Sequence, residues 1–369
     1  MSDDAAAGAD RHGPDRHAAL STRACELFGV RYPVVQTGMG WVSGAHLTAA
    51  TSAAGGLGIL ASATMTLDEL RGAITKVRDR TDRPFGVNLL PNQPDAADRI
   101  ALIVEEGVRV ASFAAAPRPE QVSRLADAGI VRIGPAGAKR HAEKVAAMGV
   151  RAVIAQGGEG GGHTGSVPTS LLLPQVVDGV DGTDVVVLAA GGFFDGRGLA
   201  AALASGPDGV AMGTRFLLTA ESRVPDHIKE IYLGTPLTGT VVTTAIDGAP
   251  QRVIRTAMID ALERSPGLLR FPRAAGNALR FRRQAGVSMT DLVRTGLQMR
   301  RDQELTWAQV ALAANAPMMT KASVVDGDAE VGILPTGQVV GVIDGLPTVA
   351  DLLEEIMDSA DGALGRLCR

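Results

Sequence analysis

Aromatic side chains make up only 3% of the 369 residues, so a core of any size must be filled by Ala, Val, Leu and Ile. Cysteine is scarcer still. Cys25 and Cys368 stand near opposite ends, which excludes a disulfide framework and points to a reducing compartment. No run of eighteen apolar residues occurs, so no membrane span is expected. The chain has no CxxC pair, no HExxH and no GxxxxGKS/T loop. Zinc, metalloprotease and P-loop ATPase chemistry therefore lack support, and no metal site is expected. The first residues, MSDDAAAGADRHGPDRH, are polar and lack the apolar core of a signal peptide. A disordered tail over 1–18 and a cytoplasmic location follow as expectations.

Aliphatic residues and glycine are abundant. Hydrophobic content is 46%, with 45 glycines in no collagen-like period, as many tight strand-to-helix turns require. Short apolar runs at 33–36, 58–60, 85–89, 108–113, 131–134, 152–156, 185–190 and 209–212 read as strands. Helical stretches fall between them at 45–54, 67–80 (with Thr66 as N-cap), 95–106, 119–128, 138–148, 169–177 and 196–204. Eight strands in roughly 180 residues, apolar on both faces, predict an α/β fold built as a (β/α)8 TIM barrel over 19–220. A helix at 20–28 would close one end. An open doubly wound sheet is the alternative, since period does not prove closure. Beyond 220 the rhythm stops. Residues 221–315 read as a helical, Arg-rich substrate or lid region with few strand signals. Residues 316–369 read as a C-terminal segment packing back on the barrel, with a strand pair near 331–334 and 339–343 and a final helix at 348–357.

In a barrel of parallel strands the reactive groups sit on the loops after the strands. Those loops are informative here: Gly38-Met39-Gly40 after strand one, Asn88 in strand three, and residues 156–166, QGGEGGGHTGS, after strand six. Gly191-Gly192 follows strand seven and Gly213-Thr214 strand eight. The last two pairs occupy positions where barrels bind phosphate, and Asn88 and Gln156 suit the edge of a heteroaromatic ring. Together they suggest flavin mononucleotide. Taken singly, each glycine pair is more simply a tight turn and Asn88 a loop cap; their convergence on one face argues otherwise. His163 stands alone in a bare loop and is the candidate proton-transfer residue, while Glu159 is expected to be solvent-exposed. The loose dinucleotide fingerprint at Gly38, Gly40 and Gly44 lacks the acid expected about 20 residues on.

Between 251 and 301 lie eleven arginines and no lysine against Asp260, Glu263 and Asp291, a net +8 in a chain of net −4. A solvated helical face is the ordinary explanation. Arginine without lysine, however, suits bidentate phosphate binding, so a phosphorylated handle such as coenzyme A is preferred. Nucleic acid is disfavoured by the acidic balance and the scarcity of stacking aromatics.

The segments PVVQTGMGWVSG, PFGVN, QGGEGGGHTG, LAAGGFFDGRGLAAAL and GVAMGTRFL, in this order, resemble the nitronate monooxygenase family of FMN-dependent barrels and the related flavin enoyl-ACP reductases. The likeness is strong over about 22–220. VVTTAIDGAPQRVIRT, LTWAQVALAANAPMMTKA and DGDAEVGILPTGQVVG are similar to an actinobacterial branch of steroid C/D-ring breakdown that acts on a ring-bearing acyl-CoA. The resemblance implies flavin contacts at Met39, Gly40, Asn88, Gln156, Gly161, Gly192, Gly213 and Thr214, and His163 as catalytic histidine. The expected activity is formation or reduction of a C=C bond beside a carbonyl of a CoA thioester. Oxidation of alkyl nitronates with O2 is one alternative, and a flavin-free isomerase or lyase of a phosphorylated metabolite another. NAD(P) as electron partner and assembly into a homo-oligomer stay open.

Overall fold

A computed structural model describes residues 16–264 and 307–367. Residues 1–15 of the tail expected over 1–18 and Cys368 lie outside these residues, as do eight of the eleven arginines between 251 and 301. Eight parallel strands close into a barrel: β1 (Val34–Gln36), β2 (Leu57–Ala61), β3 (Phe85–Leu89), β4 (Val110–Phe113), β5 (Val131–Ala136), β6 (Ala152–Gln156), β8 (Val186–Ala190) and β9 (Gly209–Met212). Closure runs through β1 and β9, where Val34 pairs with Val210 and Gln36 with Met212. The open doubly wound sheet is thereby excluded.

Alternation of side chains sorts the strands' apolar residues into two layers. Val35, Leu57, Ile59, Val110, Ile133, Val186 and Leu188 fill the barrel interior, with Phe28 pressed in from below. Phe28 is fully buried and sits on the short helix Arg23–Phe28, so the expected end-closing helix is present. It is fastened by Arg23, which donates to both Asp208 oxygens at 2.8 and 3.0 Å. The other strand faces pack against the outer helices. One of these, Leu67–Arg78, starts with the capping box of Thr66 and Glu69, which satisfies two N–H groups that a helix start leaves open.

Arg99, on the helix Ala96–Glu105, is buried among these helices. It grips Asp95 at 2.9 and 2.8 Å and donates to the carbonyls of Ser62 and Met65 at 2.7 and 2.6 Å. Replacing it with methionine keeps the bulk but strands a carboxylate and two carbonyls. We expect Arg99→Met to cost about 3 kcal/mol, read as a lower urea midpoint; an unchanged midpoint would show the network to be dispensable.

After the barrel the chain departs from the sequence reading. Residues 240–254 form a hairpin, β10 (Thr240–Thr243) with β11 (Gln251–Ile254), and β11 also pairs with a two-residue strand, β7 (Gly162–His163), in the loop after β6. The strand pair expected near 331–343 does not form. Pro335, which has no N–H to give, makes one isolated bridge to Val253, and Gln338–Val342 is a 3-10 helix. The C-terminal helix Val349–Leu367 packs on Gly196–Ala204. Arg16, inside the span expected to be a tail, ties to this helix through Glu354 and Asp358, each at 2.6 Å. Among the described residues no helix is long and apolar enough to cross a membrane.

Candidate active site

Every candidate site residue lies on the rim formed by the C-terminal ends of the strands. Loops one and eight meet there, since a Cβ placed on Gly213 would lie 3.4 Å from Met39 Sδ. Gly40 is exposed beside Met39, and Asn88 is half-buried on β3, its amide 3.4 Å from Ser112 Oγ. Gly191 and Gly192 follow β8 with φ of +88° and +91°, a region that side-chain-bearing residues avoid. Among the described residues, the N–H groups of Gly192, Gly213 and Thr214 find no backbone acceptor. This bare, donor-bearing backbone suits a phosphate.

The loop after β6 is held from within and from above. Gln156 Nε2 donates to the His163 carbonyl at 2.8 Å. Glu159 is half-buried rather than solvent-exposed, correcting the sequence expectation. Its carboxylate accepts from Thr169 N at 3.0 Å and from Thr169 Oγ1, at the start of the helix Thr169–Val180, where negative charge is favoured. From above, residues 336–338 cross the mouth as a strap. Gly337 N donates to Thr214 Oγ1 at 2.8 Å, and Gln338 N to the Glu159 carbonyl at 2.9 Å. Gly161 lies under this strap; a Cβ there would sit 2.4 Å from Gly337 N. That contact alone requires glycine, whatever else the position touches.

His163 stands on β7 opposite Gln251 on β11. Its side chain is 66% exposed, whereas that of Asp247 is 9% exposed. His163 Nε2 lies 2.8 Å from Asp247 Oδ2 and 3.2 Å from Gln251 Nε2, and the Gln251 amide donates to the same Asp247 oxygen. Burial pushes the Asp247 carboxyl up, but the hydrogen bond and charge of His163, the Ala249 N–H and the Gln251 amide together hold it below the usual carboxylate range. Asp247 and Gln251 were not singled out from the sequence. Their signal was the Asp247-Gly248 dipeptide between β-branched runs, a hairpin mark; Gly248 has φ +91°.

The described arginines of the basic segment serve the scaffold. Arg252 donates to Thr240 Oγ1 at 2.9 Å and to the Gly158 carbonyl at 2.8 Å, so it ties the hairpin to the glycine loop. Arg255 pairs with Asp260, and Arg264 donates to the Asp260 carbonyl. On the far side of the mouth Trp41 is, among the described residues, the one non-glycine with positive φ, at 66°. Its indole N–H donates to the Pro317 carbonyl at 2.9 Å, which anchors the helix Trp307–Val324 to the first loop.

A family model described as nitronate monooxygenase matches residues 21–359. The chain is 58% identical over 338 residues to a Mycobacterium tuberculosis protein named (3aS,4S,5R,7aS)-5-hydroxy-7a-methyl-1-oxo-octahydro-1H-indene-4-carboxyl-CoA dehydrogenase, covering 92% of this chain and 95% of that one. A Rhodococcus jostii protein of the same name is 54% identical, over 93% and 96%. Among solved structures, FabK from Thermotoga maritima superposes with a TM-score of 0.76 at 33% identity, over 94% of this chain and 98% of that one.

Proposed function

We propose that this chain, which belongs to the nitronate monooxygenase family, is an FMN-dependent oxidoreductase that forms or reduces a carbon–carbon double bond beside the carbonyl of a cyclic acyl-CoA. The observation carrying this reading is the 58% identity, over 92% of the chain, to a dehydrogenase named for an octahydroindene carboxyl-CoA. A saturated ring bearing a thioester has an acidic C–H next to the carbonyl. Desaturation there separates into loss of a proton from one carbon and of a hydride from its neighbour. FMN, when bound, supplies the hydride acceptance or donation, with NAD(P) or O2 as its own redox partner.

The chain's part is to bind, orient and move the proton. Gly191, Gly192, Gly213 and Thr214 would hold the phosphate through backbone N–H groups, and Met39, Gly40, Asn88, Gln156 and Gly161 would border the ring system. The open left-handed turn at Gly191-Gly192 fits such a group. His163 would take the proton from the acidic carbon, or return it, and its exposure toward the mouth leaves substrate a path. Arginines of the 251–301 segment would hold the CoA phosphates; of these, Arg252, Arg255 and Arg264 already have partners within the chain.

An absorbance spectrum of purified protein, followed by anaerobic titration with a cyclic acyl-CoA, tests this. We expect flavin absorbance that bleaches on thioester addition. Turnover of propionate-3-nitronate in air without response to the thioester would instead select nitronate oxidation. A colourless protein that cannot be reconstituted with FMN would select a flavin-free isomerase or lyase.

A further inference from the structure

Resting on His163 as the proton-transfer residue, we infer that Asp247 is its positioning residue, fixing the neutral imidazole with hydrogen on Nε2 and leaving Nδ1 as the nitrogen that meets substrate. A carboxylate only accepts hydrogen bonds, so the 2.8 Å contact between Asp247 Oδ2 and His163 Nε2 requires the hydrogen on Nε2. Gln251 strengthens the choice. Its amide donates to the same carboxylate oxygen, which orients that oxygen and keeps it charged. The Gln251 amide also lies 3.2 Å from Nε2. Its second hydrogen could bond Nε2 only if that nitrogen were bare, which would set the Asp247 carboxylate against a lone pair at 2.8 Å.

The scaffold holds this triplet in register. His163 and Gln251 are cross-strand partners, Thr164 N donates to the Pro250 carbonyl at 3.1 Å, and Ala249 N donates to Asp247 Oδ1 at 3.0 Å. Asp247 thus uses one oxygen to close its own turn and the other to hold the histidine. The neighbouring charges point elsewhere: Arg252 to Gly158 and Thr240, and Glu159 to Thr169. Asp247 is therefore the charged group placed on the imidazole. It acts through His163 and has no contact assigned to substrate.

Asp247→Asn tests the inference on the full-length holoenzyme. The side-chain shape is kept, but its amide can donate to Nε2 and so move the imidazole hydrogen to Nδ1. In 15N-histidine-labelled protein, with His163→Ala identifying the His163 signals among six histidines, we expect the wild type to show the Nε2–H tautomer and Asp247→Asn to shift toward Nδ1–H. Turnover should fall about 10- to 100-fold, as when the orienting partners of metal-bound histidines are removed, with KM changing less than kcat. Asp247→Glu, which restores an acceptor, should recover part of both readouts. An unchanged His163 tautomer in Asp247→Asn overturns the inference. A tautomer shift with normal turnover upholds the positioning and removes His163 from the chemistry, so the two readings fail separately.

Discussion

Replacing His163 with alanine is expected to lower kcat by about 10²- to 10⁴-fold, the usual contribution of a placed acid or base, while the purified protein keeps its colour. The two halves of this expectation rest on different atoms. The backbone of residue 163 carries the structural contacts: its carbonyl accepts from Gln156 Nε2, and its strand pairs with β11. The imidazole is mostly exposed, bonds Asp247 and lies 3.2 Å from the Gln251 amide. Its removal leaves the loop, the strap and the glycine turn in place, and substitutions of exposed side chains usually change stability by about 0.5 kcal/mol or less. Steady-state kinetics with a cyclic acyl-CoA, alongside the visible spectrum, check both halves. Normal turnover would remove the imidazole from the mechanism, and a colourless product would give it a binding role instead.

Gly196→Val should cost about 3 kcal/mol of stability. Gly196 opens the helix Gly196–Ala204, and a Cβ there would stand 2.0 Å from the Ile356 carbonyl oxygen and 2.3 Å from Ala360 N. Both neighbours are backbone atoms of the C-terminal helix, which cannot turn aside as a side chain can. That helix buries Leu352, Leu353, Ile356 and Met357, so displacing it exposes apolar surface as well. Lower chemical-denaturation midpoints should accompany faster proteolytic release of the segment beyond 336. A midpoint within error of the parent would mean that the two helices separate at no cost.

The barrel was legible because its evidence is local. Each strand is a short aliphatic run, several closed by glycine or an amide residue, and each intervening helix carries its own period; Thr66 even announced a cap. The rim residues followed from the topology, since parallel strands send their C-terminal ends to one face. What lay across the mouth was less legible because it is non-local. Asp247 is separated from His163 by 84 residues, and no spacing rule joins them. The apolar runs around Ile333 and Val340 looked like a strand pair, but Pro335 and a 3-10 turn make them a strap and a core contact. Glu159 looked like solvent-facing charge in a glycine loop; the hydroxyl and N–H it accepts from belong to Thr169, ten residues on.

The strap also orders events during synthesis. The barrel's last strand ends at Met212, and its closing pair with β1 needs nothing beyond it. Thr214 Oγ1 and the Glu159 carbonyl wait for Gly337 and Gln338, which leave the ribosome more than a hundred residues later. Chains fold from the N-terminus as they emerge. A nascent chain can therefore hold a closed barrel while its mouth still lacks a fastening between loops six and eight, and that fastening becomes one of the last contacts made in maturation.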